Sequence, residues 1–525
     1  MAVLERIEVV GADAPRAGGW RLSSARLVAR NTLYNGLSWL VIVVLGFFCS
    51  PYIVNRLGDS RYGLLSLVMV VAGYFAMLDL GLTQAVQKYA AEYYGRGDRD
   101  RLGRLVGTAN LVYLALGGAG ALVIAALTGW LVTHVLHLDP GLRGDAAFVL
   151  YLAALGFLIN MPLSVFNALP MALQRMDITN ARATLIGIGN SVGFVVLLAL
   201  GYGLREVMVL NVALSVGGVL AFVIACRKLL PEVSFRPRFD REEARRLFRL
   251  ALPTAASSAG ARAVLQFDRM LVGIFWPIAH LTYYAIPNNV CQYGMSLTQQ
   301  ATRAMFPAVS DRSGNGDVEG VRRMYLRATR LLAVTIVPIF VLLILFAHPI
   351  LRAWMGDRIA EHSAVILALV AAAFCFQFIG AVQNMFLLAM GRAATMAKWN
   401  LAQGLATVVL DLILIPRYGV LGAGLALLIV SAAAVLPYAW VVSSRFVGVS
   451  AARTLRLFVW PVVLSLACFA PALPVAAHLH RIMLLGLFCL GLGAVYLLVC
   501  LLLRVLPRED LALAWSVVRR GREAA

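Results

Sequence analysis

The amino-acid sequence predicts an all-α integral membrane protein with about fourteen transmembrane helices, arranged as two pseudo-symmetric six-helix lobes plus two extra C-terminal helices. The 525 residues are 61% hydrophobic and 14% charged, whereas soluble domains are about 45–50% apolar and about 25% charged. The mean hydropathy is +0.82, and apolar residues form long unbroken runs such as 105–127. This composition and pattern exclude a soluble enzyme, a nucleic-acid-binding domain, a disordered chain and a transmembrane β-barrel.

Fourteen apolar runs can each form a helix that crosses a bilayer, which takes about 20 residues. The runs lie at 32–54, 62–83, 105–128, 146–170, 183–201, 206–226, 251–276, 282–304, 329–348, 362–390, 397–415, 420–443, 457–477 and 482–503. The predicted parts of the chain are an N-terminal tail at 1–30, an N-lobe at 31–247, a C-lobe at 248–445, two further spans at 446–503 and a C-terminal tail at 504–525.

Lysine and arginine collect on one side of the predicted membrane. The segments on the side of both termini carry 36 of them and the opposite segments carry 8, while Arg262 and Arg269 lie inside the seventh run. Because basic residues collect in cytoplasmic loops, both termini are predicted to be cytoplasmic. The same asymmetry accounts for the net charge of +20 without a nucleic-acid partner.

This orientation makes a prediction for chemical labelling. Single cysteines placed in segments 129–145 and 349–361 should react with a membrane-impermeant thiol reagent in intact cells, because both segments are predicted to lie outside. A cysteine placed in the strongly basic segment 227–250 should be protected. Labelling of 227–250 with protection of both other segments would reverse the orientation.

The two halves of the chain resemble each other weakly. Gly97-Asp98-x-Asp100-x-x-x-Arg104 matches Gly316-Asp317-x-Glu319-x-x-x-Arg323 at an offset of 219. Three further pairs keep offsets of 216 or 217, namely Asn167 with Asn384, Arg175 with Arg392, and Tyr202-Gly203 with Tyr418-Gly419. Six predicted helices separate equivalent points, so both halves enter the membrane in the same direction. Such a parallel repeat predicts a substrate site between the two lobes.

Polar residues inside the spans form stripes on single helical faces. In the seventh run, Thr254, Ser258, Arg262, Gln266 and Arg269 are spaced by three or four residues, which places them on one face. Similar stripes occur in the eighth, tenth and eleventh runs. The candidate substrate-path residues are Arg262, Gln266, Arg269, Asn289, Gln292, Gln300, Arg303, Asn384 and Gln403. Stripes on several helices indicate a hydrated cavity; the alternative is hydrogen bonding that joins neighbouring helices.

Arg262 and three carboxylates carry the strongest electrostatic signal. Arg262 lies about 16 Å along the seventh run, near the bilayer midplane, where a guanidinium needs an anion. A substrate phosphate fits its bidentate geometry, and a salt bridge to Asp79 or Asp411 is the alternative. Asp268, six residues further along the helix, lies on another face. Asp79, Asp268 and Asp411 are therefore candidates for ion coupling or for structural salt bridges.

No cofactor, metal site or catalytic centre is predicted. A nucleotide-binding P-loop needs glycine before its lysine, and none of the three lysines follows a glycine. The seven cysteines lie in or beside apolar runs without a CxxC motif, so buried small side chains are expected. The outer segments are too short to form a catalytic domain. The protein is accordingly expected not to be an enzyme, and any active transport would use an ion or substrate gradient.

Several stretches resemble a known superfamily. They are Asn55-Arg-Leu-Gly-Asp-Ser-Arg-Tyr-Gly63, Leu78-Asp-Leu-Gly-Leu82, Leu247-Phe-Arg-Leu-Ala-Leu-Pro253, Asp268-Arg269 with Tyr283-Tyr284, and Ile415-Pro-Arg-Tyr-Gly-Val-Leu-Gly-Ala423. The chain resembles the polysaccharide-transport branch of the multidrug/oligosaccharidyl-lipid/polysaccharide exporter superfamily, which includes the O-antigen and exopolysaccharide flippases. The likeness extends over roughly residues 30–445.

The resemblance implies a flippase that moves an undecaprenyl-diphosphate-linked oligosaccharide from the inner to the outer leaflet by alternating access, for cell-surface polysaccharide biosynthesis. It implies a bacterial inner-membrane location, contact with membrane lipid, and glycan polymerases or glycosyltransferases as further candidate partners. The alternatives are a lipid II flippase and a cation-coupled multidrug antiporter of the same superfamily. The first run has no acidic residue between Asn31 and Arg56, unlike antiporters that place a carboxylate there.

Overall fold

The computed structural model describes residues 20–75, 79, 81–251, 266–503 and 505. Among these residues almost every segment is helical and no β-strand occurs, which confirms the all-α prediction. The N-terminal half contains α1 Trp20–Leu57, α2 Asp59–Phe75, α3 Leu82–Gly95, α4 Arg99–Trp130, α5 Arg143–Ala172, α6 Met176–Ala199, α7 Leu204–Leu229 and α8 241–251.

The C-terminal half is also helical, and two further long helices, α16 and α18, lie at its end. It contains α9 Phe267–Phe275, α10 Ala279–Gly314, α11 Val318–Leu345, α12 Ala347–Met355, α13 Asp357–Ala389, α14 Ala393–Tyr418, α15 Val420–Val441, α16 Ala451–Phe469, α17 Leu473–Ala477 and α18 Ile482–Leu502. Short π-helical turns extend α4 over Leu131–Val135 and α15 over Val442–Val447.

Eleven helices in the described part of the chain are long and apolar enough to cross a membrane, so this is a multi-pass membrane protein. The predicted number of fourteen is not confirmed. The second run is divided, because α2 ends at Phe75 and α3 begins at Leu82, and the seventh run lies partly outside the described residues. The eighth run forms α10, which has 36 residues but carries many Asn, Gln and Arg side chains.

The repeated Gly-Asp motif forms the same turn in both halves. Gly97 and Gly316 have φ values of 73° and 72°, a left-handed conformation that glycine adopts without a steric cost. The next residues, Asp98 and Asp317, cap α4 and α11, since their carboxylates accept hydrogen bonds from the backbone N–H groups three residues on. The sequence repeat is thus also a repeat of local structure.

The buried side chains of the described residues form two separate hydrophobic cores. The first core joins the C-terminal half to one end of α1, α2 and α4–α7, and it includes Val54, Leu64 and Val149. The charge asymmetry assigns this end of the helices to the outside of the membrane. The second contains the opposite ends of the N-terminal helices, with Tyr113 and Phe166. The halves therefore pack together at the outer end, while the inner end of the N-terminal half has a core of its own.

A surface helix joins this inner core. The segment after Asp240 forms α8, and Leu247 and Ala251, on either side of the predicted lobe boundary, are both buried in the second core. Tyr93 of α3 donates hydrogen bonds to the Glu243 carboxylate at 3.0 and 3.1 Å. Burial raises the pKa of Glu243 above its usual range. Helix α8 is thus fixed to the N-terminal half.

Candidate functional site

Two predicted substrate-path residues lie where α2 meets α9. The side chain of Gln266 contacts Gly73 so closely that a Cβ on this glycine would lie 2.4 Å from the Gln266 amide. Arg269 lies one turn further along the chain and donates through Nη2 to the Asn288 side-chain oxygen at 2.8 Å. Arg269 also interacts electrostatically with Tyr62 of α2, so both residues lie in the contact between the two halves.

The neighbouring surface of α10 completes this contact. The Asn289 side chain lies beside the Tyr62 hydroxyl of α2. One residue later in α2, a Cβ on Gly63 would lie 2.1 Å from the Ile278 carbonyl oxygen, so the two helices approach as closely as backbone atoms allow. We call the set Tyr62, Gln266, Arg269, Asn288 and Asn289 the junction cluster.

The second group is a pair of buried carboxylates in the C-terminal half. Asp268 of α9 is 7% exposed and Asp411 of α14 is 0% exposed. Asp268 accepts hydrogen bonds from the Tyr284 hydroxyl and from the backbone N–H of Arg269. The two acids interact electrostatically.

A contact between the ends of the same helices holds this pair in place. The Trp276 indole N–H donates to the Ile415 carbonyl at 2.9 Å. Asp411 precedes Ile415 by one turn, which is about 6 Å along α14. Asp268 precedes Trp276 by about two turns, which is about 12 Å along α9. The carboxylates are thus set at a fixed depth within the C-terminal half.

Asp411 has both carboxylate oxygens buried without a hydrogen-bond partner in the described part of the chain. An isolated buried carboxylate is costly unless it is protonated or paired with a cation. Asp268, Asp411 and the Tyr284 hydroxyl supply oxygen ligands only, which suit a proton or a hard cation such as Na⁺. No group of three or more His, Cys, Asp or Glu side chains that could hold a metal ion occurs among the described residues.

The remaining predicted residues fall into three classes. Gln292 and Arg303 are exposed on α10, and Gln300 and Gln403 are half-buried; no protein partner of these four side chains occurs in the described ranges. Asn384 instead joins three helices, because it donates to Asn400 at 3.4 Å and accepts from Tyr438 at 2.6 Å. Arg262 lies outside the described residues.

Asp79 occupies the break between α2 and α3. Its carboxylate accepts hydrogen bonds from the Thr83 hydroxyl at 2.7 Å, from the Thr83 backbone N–H at 3.3 Å and from the Tyr113 hydroxyl. These contacts hold the start of α3 and connect it to α4. Asp79 therefore fixes this turn through Thr83 and Tyr113, while its predicted salt bridge to Arg262 and its predicted ion-coupling role stay predictions.

The outer end is closed by contacts that the sequence interpretation did not identify. Tyr283 of α10 donates to the Asp59 carboxylate at 2.8 Å, and Arg358 of α13 forms an ion pair with it at 3.1 Å. The Trp354 ring stacks on Phe47 at 4.5 Å, and its N–H donates to the Phe47 carbonyl at 2.8 Å. We call these five residues the outer closure.

The missed residues had a detectable signal. Tyr62, Asp59, Tyr283 and Tyr284 all lie within stretches that carry the superfamily resemblance. Tyrosine counts as apolar in a hydropathy window, so its hydroxyl does not appear in a stripe of polar residues. Asp59 and Arg358 lie in segments between apolar runs, where charged residues are usually solvated and carry little information.

Weakening the outer closure should open the outer end. Trp354→Ala should remove about 3–5 kcal/mol of packing from the closed arrangement, because this side chain is buried and stacked. Spin labels on the exposed positions Arg56 and Glu361 should then report a longer and broader distance by pulsed electron resonance. The matched control is Trp460→Ala, which removes a tryptophan exposed on α16; equal distances in both variants would contradict the assignment.

Comparison with known proteins gives the family and the fold. Residues 53–364 match the protein family described as "Polysaccharide biosynthesis protein". The "Uncharacterized membrane protein EpsK" of Bacillus subtilis (strain 168) is 23% identical over 339 residues, which cover 63% of this chain and 66%, just under two thirds, of that protein. The "Putative O-antigen transporter" of Shigella flexneri is 19% identical over 407 residues, covering 76% of this chain and 93% of the relative.

A solved structure has the same fold. The structure described as "Lipid II flippase MurJ, inward closed conformation" superposes with a TM-score of 0.64 at 13% sequence identity, covering 89% of this chain and 99% of the other. At that identity the likeness shows the architecture alone.

Proposed function

Since this chain belongs to the polysaccharide biosynthesis protein family, we propose that it is a flippase that carries an undecaprenyl-diphosphate-linked oligosaccharide from the inner to the outer leaflet. The observation that carries the proposal is the combination of a helical membrane fold with polar side chains along a contact between its two halves. A transported diphosphate and its sugars need such a polar path across about 30 Å of hydrocarbon.

The proposed path begins at the inner end. The halves share a core at the outer end, whereas the inner end of the N-terminal half has a separate core. This arrangement suits loading from the cytoplasmic side, where Gln292, Gln300 and Arg303 leave polar groups without protein partners in the described part of the chain. Amide groups can replace water around sugar hydroxyls, and arginine can pair with phosphate. The N-lobe and C-lobe would then alternate around the path.

We assign the coupling step to Asp268 and Asp411. Binding of H⁺ or Na⁺ to this pair would neutralise a buried charge and would favour one arrangement of α9 against α14. A ligand shifts such an equilibrium only through different affinity for the two states, and a buried carboxylate pair provides that difference. Movement of α9 would be transmitted through Gln266 and Arg269 to the other residues of the junction cluster.

The competing antiporter function is less well supported by the site. A transporter of organic cations would need carboxylates along its path, whereas the described junction cluster carries Arg269 and amides. A lipid II flippase would use the same fold and the same phosphate chemistry, so the glycan distinguishes the two. Location in a bacterial inner membrane and contacts with polymerases or glycosyltransferases are part of the same proposal.

The test uses purified protein in vesicles. The protein should accelerate transfer of an undecaprenyl-diphosphate-linked glycan between leaflets, measured by enzymatic modification of the glycan from one side only. Vesicles that contain lipid II serve as the second arm. Efflux of an organic cation against a proton or sodium gradient, without glycan transfer, would favour the antiporter instead.

A further inference from the structure

A cleft lies between α10 and α11, apart from the path described above. It has a volume of about 320 Å³, and three arginines line it, Arg312 from α10 and Arg323 and Arg327 from α11. Met305, Met324, Ala328 and Leu331 form the rest of its wall. Both helix ends belong to the basic segment 303–330, which the charge asymmetry places on the cytoplasmic side.

The cleft is more cationic toward the helix ends and more apolar toward the bilayer. Met305 precedes Arg312 by seven residues, and Leu331 follows Arg323 by eight and Arg327 by four, so these two apolar side chains lie about 6–12 Å from the arginines along the helices. Leu331 belongs to the ninth apolar run, so this end points toward the hydrocarbon. The cleft therefore follows the direction of a lipid, with charge at the head-group layer and thioether and methyl groups below it.

Two of the arginines have capacity for an external anion. Arg312 donates to the Gly320 carbonyl at 3.5 Å and Arg323 to the Glu319 carbonyl at 3.4 Å. Each of these contacts uses one of five guanidinium N–H donors. Within the described ranges, no carboxylate lies within 4 Å of either group. Arg322 differs, because it forms an ion pair with Glu319 at 3.7 Å and does not line the cleft.

We propose that this cleft binds the phosphate-bearing head group of a lipid in the cytoplasmic leaflet, and that its ligand is the diphosphate of the lipid-linked substrate before transport. A general preference for positive charge in cytoplasmic loops accounts for the number of arginines. That general preference does not explain why two helices both direct arginines into one cleft whose remaining wall is apolar. Arginine pairs with phosphate through two parallel hydrogen bonds, and the apolar end fits the first part of the lipid chain.

The test measures binding without transport. Purified full-length protein would be incubated with undecaprenyl diphosphate, with dioleoyl phosphatidylglycerol or with dioleoyl phosphatidylcholine, and bound lipids would be counted by native mass spectrometry. Arg312→Gln together with Arg323→Gln should weaken binding of undecaprenyl diphosphate at least about tenfold, because two charged hydrogen-bond donors are lost. Arg312→Lys with Arg323→Lys should retain part of the binding. Arg322→Gln is the matched control and should bind like the parent.

The three lipids and inorganic pyrophosphate separate the sources of phosphate. Preference for undecaprenyl diphosphate over phosphatidylglycerol, lost in the double Gln variant, supports the proposal. Equal binding of both lipids would overturn the substrate assignment and would identify a phospholipid site. If equimolar inorganic pyrophosphate displaced undecaprenyl diphosphate, the lipid chain would contribute little to binding. That result would overturn the role proposed for the apolar end of the cleft. Unchanged binding in the double Gln variant would overturn the site.

The identity of the ligand rests on the proposed flippase function, but the binding assay does not. A protein that binds undecaprenyl diphosphate in this cleft and fails to move glycan would disprove the flippase and retain the site. If the double Gln variant moves glycan at the parental rate and with the parental affinity, the flippase function is retained. The cleft is then disproved as a loading position.

Discussion

Asp411→Asn is expected to reduce coupled transport to background while leaving the protein at least as stable as the parent. The Asp411 side chain is fully buried, and neither carboxylate oxygen has a hydrogen-bond partner in the described part of the chain. A buried unpaired carboxylate costs several kcal/mol when it is charged. Asparagine keeps the volume and removes the charge, so the variant loses the cation site without losing packing.

Two measurements on the same preparation check this expectation. Glycan transfer in vesicles should fall to the rate without protein, and the unfolding temperature should stay equal or rise. Asp357→Asn is the matched control, because Asp357 is exposed and pairs with Arg352 at 2.6 Å; surface pairs contribute about 0–1 kcal/mol. Full transport by Asp411→Asn would disprove the coupling role, and loss of folded protein would show a structural one.

Arg262→Ala is expected to abolish glycan transfer at normal membrane abundance. Its position near the predicted midplane of the seventh run requires an anion, and a substrate diphosphate supplies one only during transport. Arg262→Lys should restore part of the activity, because lysine keeps the charge but loses the planar bidentate geometry. Transfer rates in vesicles and protein abundance in membranes would be measured together.

The outcomes separate the two roles considered for this arginine. Full activity of Arg262→Ala would disprove anion binding, whereas loss of folded protein would favour a structural salt bridge. The control is Arg456→Ala, which removes an exposed arginine at the start of α16 and should leave transfer unchanged. A structural salt bridge would instead let Arg262→Lys restore both abundance and transport, because lysine keeps the charge that such a bridge needs.

The fold was largely predictable because its determinants are local. Apolar length and basic asymmetry depend on neighbouring residues, so the runs at 105–128 and 146–170 correspond closely to α4 and α5. The Gly97-Asp98 turn was visible as a repeat. The break at Asp79 was missed because apolar residues continue through it in the sequence. A hydropathy window also does not detect the left-handed backbone conformation of Gly81, the residue before α3.

The candidate site was predictable in residue type but not in arrangement. Helical spacing places Asn289 and Gln292 on a stripe, yet Asn289 contacts Tyr62 while Gln292 is exposed, since the facing helix comes from the other half of the chain. Likewise, Asp268 and Asp411 are 143 positions apart, and no periodicity relates them. Pairings of this kind depend on how whole helices pack, which a single sequence does not encode in any local pattern.

In the proposed flippase cycle, the shared core at the outer end has a consequence for the permeability barrier of the membrane. Opening the outer end must separate Val54, Leu64 and their neighbours from the C-terminal half and expose them to water, whereas the described residues at the inner end form no equivalent joint core. A protein at rest would therefore keep its polar path sealed from the external medium. Protons and sodium ions would not leak inward between transport cycles, and a cell could keep many idle copies in its membrane without discharging its ion gradients.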